Sequence, residues 1–187
     1  MANLIITIIS IALVAVAALM GAYYGGQAFN EGQTKAIANT LVSQAEMISA
    51  AMTIGAMNES GGDISQYFSD NWGGDIDTFF SNLIADGGLS SAPVPPTQLT
   101  TSGWYIGGGD QTVASGGALV FIDSFKLCQQ ISIMAKGSSG TPELLTDFSY
   151  SPTTQSFDCA CSDDNTNAVC DASDSYAFYY KIKGFSG

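Results

Sequence analysis

The sequence begins with an apolar segment that limits what the chain can fold into. Residues 4–24 contain only three interruptions, Thr7, Ser10 and Gly21, and no charged side chain occurs before Glu31. About 20 apolar residues in a helix are enough to cross a bilayer. Outside lipid, so large an apolar surface must be covered by other protein. We therefore expect the segment to lie in a membrane or to be bundled with copies of itself.

The flanks of this segment fit neither a secretory signal peptide nor an ordinary membrane anchor. A signal peptide has a basic region followed by an apolar run of about 7–15 residues, whereas the first basic residue here is Lys35. Membrane anchors are normally oriented by flanking Lys or Arg, and none precedes the apolar segment. We expect that an upstream leader, basic in the simplest case, has been removed.

Helical periodicity continues after the apolar segment. A single stripe of apolar residues recurs at intervals of three and four positions. It consists of Ile37, Leu41, Ala45, Ile48 and Met52. Because no proline occurs before Pro93, we predict one helix from Asn3 to Ile54. Its first half is apolar all round, and its second half is amphipathic and needs a folded domain to lie on.

We divide the chain into a stem and a head. The stem, residues 1–28, is the apolar helix that forms a bundle core or crosses a membrane. The head, residues 29–187, begins with the amphipathic half of the helix at 29–54. A region of short helices and loops follows at 55–101, and a sheet with the cysteines occupies 102–187.

The composition excludes several classes of function. The chain has 17 acidic residues against five basic ones and no histidine, for a net charge of −12. This charge repels phosphate backbones, so we expect no nucleic-acid partner. The absence of histidine removes the usual base near neutral pH and the commonest metal ligand. Asp75 and Asp77 form a carboxylate pair, but at a helix start they serve as cap and dipole partner. We predict no enzyme activity, no catalytic residue, no metal and no cofactor.

Two short helices are predicted in the first part of the head, in "GDISQYF" and "GDIDTFFSNLIADGG". In the second, Asp75 is the predicted N-cap and Gly87 the predicted stop. The predicted buried face consists of Ile76, Phe79, Phe80 and Leu83. Residues 90–96, "SSAPVPP", read as an extended linker.

The rest of the head has the pattern of a sheet with one helix. Ala118–Ile122 is a predicted buried strand, and Ser124 caps a helix that Gly137 ends. The buried face of that helix is predicted to hold Leu127, Cys128, Ile131 and Met134. Further strands are predicted in "SGWYIGGG", in "LLTDFSYSP" and "TQSFDCAC" around a turn at 152–155, and in "SYAFYYKIKG". The predicted fold class is α+β, with an antiparallel sheet of four or five strands.

The cysteines predict a head stapled by two disulfides. All four, Cys128, Cys159, Cys161 and Cys170, lie in the last 60 residues. An even number in a Gly- and Ser-rich region favours disulfides, and the spacing fits a zinc site poorly. Cys159 and Cys161 point to one face of a strand and do not pair with each other. Cys128 then pairs with either of them and Cys170 with the other. We favour Cys128–Cys159 with Cys161–Cys170, while the exchanged pairing stays open.

These features together resemble a type IV pilin, most closely the type IVb branch. The resemblance is carried by the apolar N-terminus, by "GQTKAIANTLVSQAEMISAAM" in the long helix, and by "GGALVFIDSFKLCQQISIMAKG" in the head. In that family a central strand enters a short helix that carries the first cysteine of a disulfide-closed region, as Cys128 does here. The sequence departs from the family at one point: an acidic residue is typical near the start of the apolar segment, and this chain has Ile5 there.

The resemblance implies a subunit of an extracellular filament, or pilus, that is at the cell surface and serves roles such as cell adhesion. Its implied partners are identical subunits in a helical filament, the pilus assembly machinery, a leader peptidase, and the inner membrane before assembly. Stem packing would use ten of the large apolar side chains in the first 20 residues. These are Leu4, Ile5, Ile8, Ile9, Ile11, Leu13, Val14, Val16, Leu19 and Met20.

Three alternatives to a major filament subunit remain open on the sequence. One is a minor pilin or pseudopilin, and another is a single-pass membrane-anchored surface domain that does not polymerise. A third is an adhesin modulated by calcium, since "DDNTNAVCDASD" partly follows an EF-hand spacing from Asp163 to Asp174. In that pattern Ala168 occupies the position that needs glycine, so a solvated acidic disulfide loop is the simpler interpretation.

Overall fold

A computed structural model of the protein describes residues 2–97, 100, 103–107, 116–138, 140–145, 155–162, 170–171 and 174–185, with the backbone alone at 2, 3 and 145. The chain forms two compact units, Met1–Ala36 and Ile37–Gly187. The helices are α1 (Ala2–Glu59), α2 (Ile64–Asn71), α3 (Ile76–Ala85) and α4 (Phe125–Lys136). The strands are β1 (Tyr105–Ile106), β2 (Gly117–Ile122), β3 (Glu143–Leu145), β4 (Phe157–Ser162) and β5 (Ser175–Lys181).

The long N-terminal helix is confirmed and extends five residues beyond its predicted end, to Glu59. It stops where Gly61 and Gly62 take positive φ, a conformation in which glycine has no steric penalty. The predicted stripe is also confirmed, with Ile37 partly buried and the other four residues fully buried. These side chains join one core with the sheet, so the amphipathic part of α1 packs on the sheet and the fold class is α+β.

Gly55 lies inside α1 because an aromatic ring occupies the space beside it. A Cβ at Gly55 would overlap the ring of Tyr67. That ring is fully buried, and its hydroxyl donates a hydrogen bond to Asp86 at the end of α3. The ring therefore has little freedom to move aside, and α1 accommodates it with a glycine.

We expect Gly55→Ala to destabilise the fold, although the same change usually favours a helix by about 1 kcal/mol. Overpacking a core typically costs about 1–3 kcal/mol, so the sign should reverse here. Gly32→Ala is the matched control, because no atom lies within 4 Å of its Cβ position. Guanidinium unfolding of the detergent-solubilised chain, followed by tryptophan fluorescence, would measure both. A stabilised Gly55→Ala would contradict the packing of Tyr67 against the helix.

The two short helices after α1 follow the sequence signals closely. Asp63 and Asp75 are the N-caps of α2 and α3, and their side chains accept hydrogen bonds from Gln66 N (3.0 Å) and Thr78 N (2.8 Å). On α3 the predicted buried face is confirmed, with Phe79, Phe80 and Leu83 buried and Ile76 partly buried. Gly87 has positive φ just beyond the helix, as a stop requires.

Residues 90–96, the predicted linker, contain neither helix nor strand. Gln44 of α1 donates a hydrogen bond from Nε2 to the carbonyl oxygen of Val94 over 2.8 Å. The Oε1 atom of the same side chain accepts one from Trp104 Nε1 over 3.3 Å. One polar side chain of α1 therefore holds both the linker and the start of the sheet region.

The central strand and its helix match the prediction. Strand β2 starts one residue earlier than predicted, at Gly117, and is buried along nearly its whole length. Ser124 caps α4 by accepting a hydrogen bond from Leu127 N, and Gly137 ends the helix with positive φ. The buried face of α4 includes Leu127, Cys128 and Ile131, with Met134 partly buried.

The described strands form one sheet of order β1-β2-β5-β4-β3. The antiparallel prediction is correct for β1–β2, β2–β5 and β4–β5. It is wrong for β3 and β4, which run parallel, so the sheet is mixed. A tight hairpin turn would impose antiparallel pairing, whereas parallel strands need about a dozen connecting residues. The segment between Leu145 and Phe157 is long enough to connect two parallel strands. Most of the predicted turn at 152–155 lies outside the described residues.

The last strand is buried on both faces. Tyr176 and Phe178 of β5 belong to the core that contains α1, whereas Ala177 and Tyr179 pack with Leu119 on the opposite face. The strand predicted in "SYAFYYKIKG" is thereby confirmed. Burial first, and then the carboxylates of Asp174 and Asp171, raise the pKa of Tyr176 to about 12.

We expect the chain to lose stability between about pH 10 and pH 12, because an unfolded tyrosine titrates near pH 10 while Tyr176 keeps its proton in the folded state. Tyr176→Phe should reduce this alkaline loss by on the order of 1–2 kcal/mol. The measurement is guanidinium unfolding at a series of pH values from 8 to 12. Tyr23→Phe, which changes an exposed tyrosine, is the control. Parallel pH profiles for wild type and Tyr176→Phe would contradict the assignment.

Candidate assembly surface

The first unit exposes the predicted stem-packing residues on every side of the helix. All ten side chains, from Leu4 to Met20, are between 50% and 72% exposed. Their assembly role remains a prediction, but their exposure means that they are free to contact something outside the unit. Soluble proteins rarely leave a continuous apolar surface of more than a few hundred Å² uncovered. A surface of this kind is typical of a helix that lies in lipid or packs against other protein.

The few polar groups in this segment do not prevent its burial. Ser10 Oγ donates a hydrogen bond to the carbonyl oxygen of Ile6, four residues earlier, over 2.9 Å. A hydroxyl satisfied within its own helix needs no water. In the part of the chain that the structure describes, α1 is the one helix long and apolar enough to cross a membrane, judged by length and composition.

An aromatic group marks the end of the apolar run. Tyr23 and Tyr24 are 64% and 67% exposed, and their rings meet edge to face with centroids 5.6 Å apart. Phe29 is exposed further along the helix. Tyrosine is enriched where a membrane-spanning helix meets the headgroups, and exposed rings equally suit contacts between proteins.

Small residues interrupt the bulky side chains along the same helix. They are Ala12, Ala15, Ala17, Ala18, Gly21 and Ala22. Nothing lies within 4 Å of a Cβ built at Gly21, Gly25 or Gly26, so no packing within the described residues requires these glycines. Small residues on an apolar helix allow another helix to approach closely. The surface thus combines bulky side chains with places where a second backbone fits.

Both disulfides lie in the second unit, and the favoured pairing is correct. Cys128–Cys159 joins α4 to β4 with a Cα–Cα distance of 5.2 Å. Cys161–Cys170 closes a short loop at the end of β4, with a Cα–Cα distance of 5.9 Å. Three of the four cysteines are fully buried, and Cys170 is partly exposed.

A buried ion pair beside the first disulfide was not anticipated from the sequence. Asp158 is 1% exposed and pairs with Lys136 at the end of α4. Its Oδ1 accepts hydrogen bonds from Ser132 Oγ (2.9 Å) and from Cys159 N (2.8 Å). Through Ser132 and Lys136, this carboxylate joins α4 to β4. No signal in the sequence distinguishes Asp158 from an exposed strand residue.

The other candidate sites have structural explanations or lie outside the described residues. Asp75 accepts from Thr78 N and from Thr78 Oγ (2.7 Å), and these bonds hold its pKa below the ordinary value. It is the predicted cap. Most of the calcium-loop candidate lies outside the described residues. Of its acidic residues, Asp171 and Asp174 are described, and Asp171 N donates a hydrogen bond to Asp174 Oδ2 over 2.7 Å. Among the described residues no three His, Cys, Asp or Glu side chains are grouped to hold a metal ion.

A second exposed apolar face, on α1 within the second unit, was also missed. It consists of Met47, Ala50, Ile54 and Met57, all exposed. Their spacing of three and four positions was available in the sequence. It was overlooked because the outer face of an amphipathic helix is ordinarily assumed to be solvated.

Comparison of the chain with protein-family models, with curated proteins and with solved structures found no match.

Proposed function

We propose that this chain is a structural subunit of an extracellular filament of the type IV pilus kind. Identical copies would assemble by helical packing of their stems, and each copy would wait in the inner membrane before assembly. A pilus assembly machinery and a leader peptidase would act on it. The observation that carries the proposal is the apolar stem, exposed on all sides over Leu4–Met20 and free of charge before Glu31.

Helical packing follows from how identical apolar helices can cover one another. Copies related by a screw operation make contacts that do not close, so they continue into a filament. Each Å² of apolar surface removed from water contributes about 25 cal/mol, and the exposed side chains of the stem are almost all apolar. Alanine and glycine along the helix let neighbouring stems approach. The same surface is stable in lipid, which allows a membrane-held pool of subunits.

The properties of the second unit support an extracellular position. Two disulfides persist in an oxidising compartment and are rare in the cytosol. The chain has a net charge of −12, and all its acidic residues lie at or after Glu31. The acidic side chains therefore belong to the part of the chain that would face water. Like charges keep such surfaces soluble, and the stems then supply the attraction between copies.

A single-pass anchored domain that never polymerises is the second candidate. The observation that favours it is the exposed Tyr23–Tyr24 pair at the end of the apolar run, where a membrane interface would lie. A minor pilin or pseudopilin differs from the main proposal in abundance and in its position within a filament. Both alternatives predict that the bulk of any filament is built from another chain.

Electron microscopy with helical reconstruction on filaments sheared from the producing cells tests the proposal. We expect density in which residues 4–54 of every subunit form a central helical bundle, with residues 55–185 outside it. Mass spectrometry of the same filaments should identify this chain as the main component. Filaments that lack the chain, together with retention of the chain in the membrane fraction, would instead support the anchored domain.

A further inference from the structure

The lysine–aspartate pair between α4 and β4 brings an amine against a buried carboxyl group. Lys136 Nζ lies 2.5 Å from Asp158 Oδ2, and the two side chains are 27% and 1% exposed. Taking two charges out of water is costly, and their mutual attraction often fails to offset this cost. Condensation of the pair to a neutral amide would remove both charges.

The hydrogen bonds around Asp158 distinguish its two oxygen atoms. Oδ1 accepts hydrogen bonds from Ser132 Oγ over 2.9 Å and from Cys159 N over 2.8 Å, whereas Oδ2 contacts Lys136. Donors placed in this way stabilise the negative charge that develops on a carbonyl oxygen when a nucleophile attacks its carbon. Oδ1 is therefore the oxygen that stays, and Oδ2 is the oxygen that can leave.

The nitrogen atom is held where it can attack and where the product is stable. An atom in contact with a carboxylate oxygen lies close to the carboxyl carbon, and reacting atoms in near-attack geometry are about 3–3.5 Å apart. Lys136 Nζ also donates a hydrogen bond to the carbonyl oxygen of Thr141 over 3.2 Å. An amide nitrogen formed from Lys136 keeps one N–H donor, and the same carbonyl oxygen can accept its hydrogen bond.

We propose that Lys136 and Asp158 form an intramolecular isopeptide bond in the folded chain. One proton passes from the Nζ ammonium to Oδ2, which gives an amine and a carboxylic acid. The nitrogen electron pair attacks Cγ, and a second proton passes from Nζ to Oδ2. The Cγ–Oδ2 bond then breaks, one water molecule leaves, and one hydrogen stays on the amide nitrogen. The step needs no oxidant, reductant or second reactant.

Glu143 is placed to carry the second proton. Its Oε2 lies 3.9 Å from Lys136 Nζ, and its side chain is 50% exposed, so a rotation can bring the two atoms to hydrogen-bond distance. The pairing of β3 with β4 holds Glu143 on the strand next to Asp158. A carboxylate in this position acts as a general base, which takes the proton from Nζ and returns it to the leaving oxygen.

The amide would be a second covalent link between α4 and β4, which the Cys128–Cys159 disulfide already joins. Thiols reduce a disulfide but leave an amide intact, so this connection would persist under reducing conditions. The amide also shortens the loop that this disulfide closes, and the full loop-closure effect of the disulfide is therefore expected in the Lys136→Arg chain. The inference concerns the second unit alone and does not depend on the proposed function.

Peptide mass spectrometry on the full chain from the producing cells tests the inference. Trypsin cleaves after lysine, and Lys126, Lys136 and Lys181 follow one another in this part of a chain without arginine. An acylated Lys136 is not cleaved. After reduction and alkylation we therefore expect one peptide, 127–181, with the mass of the sequence less one water and a link that fragmentation maps to Lys136 and Asp158. Separate peptides 127–136 and 137–181 of full mass would overturn the inference.

Two variants test the chemistry of the bond. Lys136→Arg keeps the positive charge, but its guanidinium stays protonated and does not attack, so cleavage after position 136 and the full mass should return. A water loss that persists in this variant would come from another reaction and would overturn the assignment. Glu143→Gln should slow bond formation by about a hundredfold or more in a pulse-chase experiment, and an unchanged rate would exclude Glu143 as the base. The wild-type peptide decides for or against the bond even if a variant does not fold.

Discussion

Removal of the Cys128–Cys159 disulfide by alanine substitution should lower the free energy of unfolding by roughly 4 kcal/mol. The bond joins positions 31 residues apart, and closing a loop of that length removes more entropy from the unfolded chain than closing a short one. Removal of Cys161–Cys170, with a separation of 9, should cost roughly 3 kcal/mol. Guanidinium unfolding followed by the fluorescence of Trp72 and Trp104 measures both, because both tryptophans lie in the second unit.

Burial adds a second, independent difference between the two bonds. Cys128 and Cys159 are fully buried, whereas Cys170 is partly exposed. Attack by an external thiol requires access to a sulfur atom. Mild reduction and alkylation should therefore label Cys161 and Cys170 first, and mass spectrometry would identify the labelled residues. Equal losses of stability from the two double variants, or earlier labelling of Cys128, would contradict this account of the second unit.

The helices could be predicted from the sequence because their signals are local. Asp75 and Ser124 precede apolar periodicity and form caps, while Gly87 and Gly137 follow it and have positive φ. Each signal depends on hydrogen bonds or backbone angles within a few residues. Tertiary contacts therefore need not be known before such elements are located.

The direction of β3 could not be predicted, because strand pairing is decided by residues far apart in the sequence. Glu143 pairs with Ala160 across 17 positions, in parallel, at the edge of the sheet. The turn signal near Pro152 favours a hairpin but does not require one. The sequence alone leaves the disulfide pairing open for a similar reason. Cys159 and Cys161 share one face of β4, and only the position of α4 beside the strand selects Cys159 for Cys128.

The candidate surface was predictable in its apolar character and unpredictable in its extent. The exposure of Leu4–Met20 follows from a helix apolar all round, since such a helix has no polar side to turn to water. The exposed apolar face of α1 that contains Met47 and Ile54 escaped prediction, because the chain itself could equally have covered these side chains. The Asp158–Lys136 pair depends on where α4 ends relative to β4, which no local pattern encodes.

Leu13→Asp should abolish filament assembly, and this is the largest effect we expect. Leu13 lies mid-stem and is 65% exposed in the isolated unit, so packing of the stems would bury it. A carboxylate at the centre of an apolar helix environment costs about 2.5–3.5 kcal/mol per copy. Each 1.4 kcal/mol is a factor of about ten in an equilibrium constant. The yield of sheared filaments, measured by microscopy and immunoblotting, should therefore fall by about a hundredfold or more.

Two matched variants show whether such a loss comes from the stem packing itself. Leu13→Ile keeps the apolar surface and should assemble normally, while Gln27→Asp adds the same charge beyond the apolar run and should retain most assembly. If Leu13→Asp also assembles normally, stems cannot be buried against one another, because every copy would then carry an unpaired buried carboxylate. If Leu13→Asp and Gln27→Asp reduce filament assembly equally, an added charge on either part of the helix is enough to block assembly. The apolar surface of the stem then has no special role. Only a loss confined to Leu13→Asp requires that filaments be held together by the apolar surface of Leu4–Met20.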